Sequence, residues 1–457
     1  MIETMFDGVG EGELLAVMAG AQRDERVAVA RRLLAAGRLC QLRMAAVGAE
    51  ERTQWCIDNW EAVAAEVGAE LSISRARASV QMNYGVELLE RLPRLAEVFA
   101  AGEVDFRVVA AVVYRTGLMT DPQLLAELDK ALARRAVAWN RLSRRRVAEM
   151  VDQWVIRFDP AALRAARSAE EDRRIEFGDV RNGMVEFWGA LRAADAMVLD
   201  RRLDQLAAEA GPEDERTKAQ RRADALAGLA AGERSGGQAP VVIHVLAEAG
   251  TVSGTSQTPG YLAGYGALSP QAVRELAGRA RLRPLTPVAE LRSEPRYRPS
   301  AALADFIRAR DLCCRFPGCD KPAEVCDIDH TIPWEAGGPT HPSNCALLCR
   351  AHHLLKTFWA GARGWAEKQF ADGTIVWTSP SGRTYTTTPA GALFFPQLSE
   401  SGAEIAAPST RPAGSFPDGR TRMMPKRRWS RAAERQARIR WERGLNEQRW
   451  AADPPPF

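Results

Sequence analysis

Along residues 11 to 149, and on through VAEMVDQWVIRF, apolar positions recur at three- and four-residue spacing, as in LLAVMAGAQRDERVAVARRLLAAGRL. This period predicts several amphipathic helices packed as a bundle, punctuated at Pro93 and Gly102. Within it, EAVAAEVGAELSISRARASVQMNYGVELLERLP has the helix, turn and Ser-led second helix of a helix-turn-helix. Ordinary helix packing produces the same pattern. In RRIEFGDVRNGMVEFWGAL the period changes to two about Asn182-Gly183, which predicts a β-hairpin. Helices are expected next at about 193 to 210 and in DERTKAQRRADALAGLAAGE.

The turn-rich run ERSGGQAP precedes the apolar strand VVIHVLA, in which His244 alternates with core positions and reads as structural. Residues 249 to 298 mix Gly and Pro with the short helix PQAVRELAGRA, and PSAALADFIRARD is a further helix. FADGTIVWTSPSGRTYTTTP reads as two strands about Pro380 to Gly382. Residues 389 to 425 carry many Pro, Gly and Ser and predict a flexible linker. The final KRRWSRAAERQARIRWERGLNEQRW predicts a helix capped by Ser430. The organisation expected is a mainly helical region over 1–235, a connecting α/β segment over 236–298, a small module over 299–388, a linker over 389–425 and a basic tail over 426–457.

At 457 residues and 46% hydrophobic content the chain buries about two or three ordinary cores. The N-terminus lacks a basic segment followed by an apolar run, and no stretch reaches about 18 uncharged apolar residues, so a soluble, cytoplasmic protein without membrane contact is expected. The net charge of +4 is unevenly placed: residues 418 to 457 hold eleven Arg or Lys against five Asp or Glu, a local +6, leaving −2 elsewhere. Cations for phosphates, with Trp429, Trp441 and Trp450 for stacking, point to nucleic acid. Lys426, Arg427, Arg428, Arg431, Arg435 and Arg438 are the expected contacts, a solvated or partner-packed helix being the alternative. The cluster Arg134, Arg135, Arg141, Arg144, Arg145 and Arg146 fits a solvated helix face. No Gly-rich phosphate loop indicates a nucleotide cofactor, and nothing in the sequence fixes the oligomeric state.

Six of the eight cysteines and four of the five histidines fall within residues 313 to 357. A C-x4-C pair (Cys314, Cys319) followed by C-x2-H (Cys349, His352) supplies two knuckles suited to a closed, tetrahedral Zn²⁺ site. Cys40 and Cys56 are the only other cysteines, which fits thiols kept reduced for metal. Asp329, His330, Asn344 and His353 form a second set, whose carboxylate and imidazole suit Mg²⁺, Mn²⁺ or a transition metal with open positions. In an extended strand Asp329 and His330 point to opposite faces, and a bend there would let Asp329 hold a cation while His330 faces an attacking water. On a helix His352 and His353 diverge by about 100°, so one helix can serve both sites.

The order D-H, G-G-x-T, Asn, then L-C-x-x-H-H-x-x-K resembles the zinc-supported subclass of HNH endonucleases, over roughly residues 305 to 358. The resemblance implies α+β architecture: a small ββα-metal nuclease domain behind a mainly helical N-terminal domain. It implies that Asp329 and His353 hold a catalytic Mg²⁺ or Mn²⁺, that His330 is the general base, and that Asn344 buttresses the loop. Lys356 is a candidate phosphate contact, with a solvent-facing lysine as the alternative. In that subclass the second knuckle more often ends in Cys; here it ends in His352, so His352 and His353 remain exchangeable on sequence alone. The run D-E-R-T-x-x-Q-R-R-A-D-A-L at 214 to 226 resembles a helical domain of unknown function that precedes HNH modules in a repeat-element family common in actinobacterial genomes. For Arg216, Gln220, Arg222 and Asp224 that family supplies no role, leaving a buried polar network joining helices or a nucleic-acid surface. The expected activity is metal-dependent hydrolysis of DNA phosphodiester bonds. A zinc-stapled DNA-binding or protein-interaction module without catalysis is the alternative, against which the set Asp329, His330, Asn344 and His353 counts.

Overall fold

The apolar period of the first third resolves into seven helices: α1 (Glu11–Met44), α2 (Asn59–Leu71), α3 (Arg75–Glu90), α4 (Pro93–Ala100), α5 (Phe106–Arg115), α6 (Pro122–Ala136) and α7 (Arg144–Phe158). The structure, a computed structural model, describes residues 5–46, 50–164, 173–181, 184–209, 214–231, 244–263, 266–278, 280–361, 364–400 and 423–452. Asp58, Ser74, Asp105, Asp121 and Ser143 each accept a first-turn backbone N–H, satisfying donors that a helix start leaves open. Leu95, Phe99, Val112, Leu128, Leu132 and Val151 are at the centre of the main core. α1 and α3 cross in backbone contact, since a Cβ on Gly37 would sit 2.4 Å from the Gly85 carbonyl carbon.

The helix-turn-helix pattern falls on α2 and α3, and both are packing elements. α3 buries Ala78, Met82 and Leu88, and the turn before it abuts the first knuckle, where a Cβ on Gly318 would lie 2.6 Å from the Ile73 carbonyl oxygen. Downstream, β1 (Arg174–Arg181) pairs antiparallel with β2 (Met184–Ala190). α8 (Ala193–Ala208) and α9 (Lys218–Ala231) follow, joined by Arg222, which pairs with Asp200 and Asp204 of α8. Arg216 pairs with Asp214 and Asp224 at the start of α9, so Arg222 joins the two helices while Arg216 braces one of them, and neither network is buried. A small sheet of β3 (Val245–Leu246), β4 (Gly260–Leu262) and β5 (Gly266–Leu268) has α10 (Ala249–Ser253) between its first two strands and is followed by α11 (Pro270–Ala277).

The small C-terminal module starts with α12 (Ala301–Asp311), continues through the antiparallel pair β6 (Cys326–His330) and β7 (Cys345–Cys349), and enters α13 (Arg350–Phe358) directly. A three-stranded meander, β8 (Ala366–Gln369), β9 (Ile375–Thr378) and β10 (Thr384–Thr387), follows. The architecture is therefore α+β, with a mainly helical N-terminal region ahead of a small ββα unit. The two parts share a core: Ile57, Ala65 and Ala69 pack with Phe316, Leu355 and Trp377. Among the described residues, no helix is long and apolar enough to cross a membrane.

Asp311, at the end of α12, is fully buried and pins this module together. Its carboxylate accepts from Arg310, Arg315 and the Leu347 backbone N–H. Arg310 then donates to the Pro342 and Cys345 carbonyls, and Arg315 to that of Thr387. Burial alone would raise the Asp311 carboxyl, but Arg310 and Arg315 outweigh it and hold it below the ordinary carboxylate range.

The C-terminal segment departs from the sequence expectation. Residues 389–400 are not linker, since Phe395 and Leu398 fill a core with Leu303, Phe306 and Leu347, and residues 401–422 of the expected linker lie outside the described residues. The tail is not a free arm either. Lys426 bridges Trp55 in antiparallel fashion, Met424 enters the shared core, and α14 (Arg431–Ala452) lies along the bundle. Arg427 and Arg431 pair with Asp58 and Glu61, Arg435 with Glu87, and Arg443 with Asp159. The tail is cationic in composition, but the counter-charges of these four arginines are carboxylates of the same chain far away in sequence, which no local pattern reveals.

Two outcomes follow from these buried charges. Arg443→Ala leaves Asp159 and the Leu118 carbonyl without their donor, and is expected to cost about 2–3 kcal/mol, read as a lower urea midpoint. Asp311 has a folded pKa below its unfolded value of about 3.9, so its stabilisation is complete above that value and is lost as pH falls through the folded one. Stability followed by thermal melting should therefore fall below about pH 4, and Asp311→Asn should flatten that acid limb while destabilising the protein at neutral pH by about 3–5 kcal/mol.

Candidate active site and metal centre

The first knuckle turns at Gly318, whose φ of +74° is left-handed, and is closed by Cys314 N–H donating to the Lys321 carbonyl. The second comes from the join of β7 and α13: Cys349 ends the strand, and His352 lies one helical turn on. Three Sγ atoms and one imidazole nitrogen, from Cys314, Cys319, Cys349 and His352, lie within 4.8 Å of one another. His352 Nδ1 is 3.4 Å from Cys314 Sγ and 3.3 Å from Cys349 Sγ, while Cys319 and Cys349 sulfurs are 4.0 Å apart. A tetrahedron with Zn–S near ~2.3 Å and Zn–N near ~2.0 Å has edges of about 3.5–3.8 Å, so the donor set fits Zn²⁺ in chemistry and spacing. Hydrogen bonds from Cys314 and Cys319 hold the Cys349 thiol well below its usual range, whereas burial lifts Cys314. Phe316 stacks on the His352 ring at 4.0 Å, fixing its plane. Cys326 lies opposite Cys349 in the strand pair, but its thiol faces the Lys321 carbonyl.

The second set occupies the other side of the same strand pair and helix. Strand alternation places Asp327 and Asp329 on the face towards α13, and His330 on the opposite face without any bend. His353 is clamped between the two aspartates, with Nδ1 2.9 Å from Asp327 Oδ2 and Nε2 3.3 Å from Asp329 Oδ1. If Nδ1–H donates to Asp327, then Nε2 and Asp329 Oδ1 face one another, and either a proton on Nε2 or a cation between them makes the contact favourable. Two ligands on adjacent positions of an octahedral ion are separated by about 3 Å, so this pair fits a divalent cation.

His330 is buried, and burial lowers its pKa from the ordinary imidazole value, favouring the neutral ring. Its Nε2 lies 2.8 Å from Thr340 Oγ1, which donates its own proton to the Arg296 carbonyl at 2.6 Å. Tyr297 stacks on the imidazole at 5.3 Å, and Trp334 meets it edge-on at 5.9 Å. Asn344 spans the intervening loop: its side chain accepts from Ile332 N–H and donates to the Ile332 and Pro339 carbonyls. Gly338 allows this closure, because a Cβ there would lie 1.9 Å from the Ile332 oxygen.

Lys356 is placed differently from the expectation of a phosphate contact. Its ammonium is buried, 2.7 Å from both Asp329 Oδ2 and Glu367 Oε1, and donates to the His330 carbonyl at 2.6 Å. Burial alone would discharge it, but Glu367 and Asp329 outweigh that and hold the ammonium charged. Lys356 is thus an internal cation that fixes Asp329. Of the tail residues, Arg427, Arg431 and Arg435 are committed to bundle carboxylates; Lys426, Arg428 and Arg438 stay exposed, Arg438 beside Glu442.

Sequence reading missed Asp327, Thr340, Glu367 and Tyr297. Asp327 had a usable signal, since it stands two residues before Asp329 and shares its face in a strand. Glu367 had none, being delivered by β8 from outside the motif.

Residues 20–311 match the family model for a domain of unknown function, DUF222, and residues 313–358 match that for the HNH endonuclease domain. The chain is 42% identical to the uncharacterized protein Rv3776 of Mycobacterium tuberculosis, across 98% of this chain and 92% of that protein. It is 41% identical to the uncharacterized protein Rv2100 of the same organism, across 98% and 90% respectively. No solved structure matches the chain at a significant level. An HNH endonuclease domain implies nuclease-type chemistry on a nucleic-acid substrate. By the extent of both matches, the chain belongs to the DUF222 family and carries an HNH endonuclease domain directly after the DUF222 region.

Proposed function

We propose that this protein is a metal-dependent endonuclease that hydrolyses DNA phosphodiester bonds, with His330 as general base. The observation that carries this reading is the meeting of Asp329 Oδ1 and His353 Nε2 at 3.3 Å on the ββα face, with a buried imidazole on the adjoining residue. Asp329 and His353 would hold a Mg²⁺ or Mn²⁺ ion, which when bound neutralises charge on the phosphoryl and departing oxygens. Asp327 orients His353 by accepting from Nδ1, leaving Nε2 as the ligand atom. Lys356 keeps the other Asp329 oxygen in place.

The Thr340 hydroxyl spends its proton on the Arg296 carbonyl, so it accepts from His330 Nε2–H. Nδ1 is then the lone-pair nitrogen, free to take a proton from an attacking water. Asn344 and the Tyr297 ring hold that imidazole at a fixed angle by fixing the loop behind it and the face beside it. Cys314, Cys319, Cys349 and His352 would bind a structural Zn²⁺, replacing the apolar core that the Gly- and Pro-rich loop from Pro333 to Asn344 lacks.

Incubation with supercoiled plasmid and Mg²⁺ or Mn²⁺ tests the reaction. His330→Ala is expected to slow cleavage by about 10²- to 10⁴-fold with an unchanged melting temperature; cleavage at the parent rate would remove His330 from the base role. Metal analysis beside melting separates the two centres. Cys319→Ala should lose zinc and destabilise the module, whereas His353→Ala should keep one zinc per chain and lose only cleavage. Loss of zinc from His353→Ala but not from His352→Ala would reverse the two histidines.

A further inference from the structure

The segment Glu294–Ser300, sequence EPRYRPS, lies before the HNH match and inside the DUF222 match, yet it forms one wall of the site. Glu294 N–H donates to the Thr340 carbonyl at 3.0 Å, and its carboxylate accepts from the Ser300 N–H and hydroxyl at 2.7 and 2.6 Å. Pro295 and Pro299 restrict the backbone on both sides of the three residues between them. The loop is therefore closed and fixed rather than loose. The Arg296 carbonyl takes the Thr340 proton, which ties the loop to His330 through one hydroxyl.

The side chains this loop presents are a cation, an aromatic ring and a second cation. Tyr297 is 51% exposed although it stacks on His330 at 5.3 Å and meets Trp334 edge-on at 6.3 Å. Arg296 and Arg298 are exposed, and among the described residues neither side chain makes an ion pair or hydrogen bond. In the tail, by contrast, the guanidinium groups of Arg427, Arg431, Arg435 and Arg443 are neutralised by carboxylates. Unpaired cations flanking an exposed ring, within two hydrogen bonds of the base, are what a polyanion with flat bases would meet at this site.

We propose that Arg296, Tyr297 and Arg298 form the substrate-binding loop of the site, the two guanidinium groups contacting DNA phosphates beside the scissile bond and the tyrosine ring packing on a base or sugar. This rests on the nuclease reading above. The DUF222 region thereby contributes substrate contacts to a site whose proposed ligands and base lie in the HNH segment.

Binding of a fluorescently labelled DNA duplex by the full-length, zinc-loaded protein without added Mg²⁺ or Mn²⁺, over a salt series, tests the assignment. Loss of two phosphate contacts in the double variant Arg296→Ala, Arg298→Ala should lower the slope of log K against log salt by about 1.8. The charge-conserving Arg296→Lys, Arg298→Lys should keep most of that slope, which separates charge from folding. Tyr297→Ala should weaken binding roughly tenfold, with Tyr297→Phe close to the parent. Parent protein that binds and cleaves DNA beside an alanine double variant of unchanged slope overturns this loop and leaves the nuclease reading standing. A reduced slope with no cleavage by the parent supports the loop and overturns the nuclease reading. A parent that neither binds nor cleaves DNA overturns both.

Discussion

One buried carboxylate sets the geometry of the C-terminal module. Asp311 has no solvent contact, so its charge is tolerated only because Arg310, Arg315 and the Leu347 N–H surround it. Each arginine has donors left over, and these reach the Pro342, Cys345 and Thr387 carbonyls. A single helix end thereby fixes β7, the loop that Asn344 closes and the last strand of the meander. Apolar packing would not specify register in this way, because it has no direction. The strand pairing that puts Asp327 and Asp329 opposite Leu348 and Ala346 depends on it.

The same contrast between paired and unpaired charge organises the rest of the molecule. The most basic stretch of the sequence spends several of its arginines on bundle carboxylates, and Lys356 spends its ammonium on Asp329 and Glu367. The exposed cations without a carboxylate partner beside the site, Arg296 and Arg298, belong instead to a short loop before the module. Charge counting identifies where cations are, and only the fold decides which of them remain available to a ligand.

What was legible in the sequence was local. The spacing of Cys314, Cys319, Cys349 and His352 fixes ligand type and count, and strand alternation separates Asp329 from His330, because both are properties of a few consecutive residues. The helical period of the first third was equally readable. Glu367, the docking of α14 and the burial of Phe395 and Leu398 were not, since each depends on a partner far off in sequence. The choice between His352 and His353 lay between these cases. Helical geometry says that the two diverge, but only the position of β6 relative to α13 decides which one faces the cysteines.

The junction of the two family matches, at residues 311 and 313, falls in the middle of a physical unit. Asp311 and its network stand on one side, and the strands it holds stand on the other. Tyr297 and Thr340 meet the same imidazole from the two sides of that junction. Glu367 closes the site from beyond the end of the second match at residue 358. Residues 313–358 hold the proposed ligands and the base, but the groups that orient them lie outside. The DUF222 region is accordingly continuous with the site rather than an appended domain, and its last helix and preceding loop belong to the same packed unit.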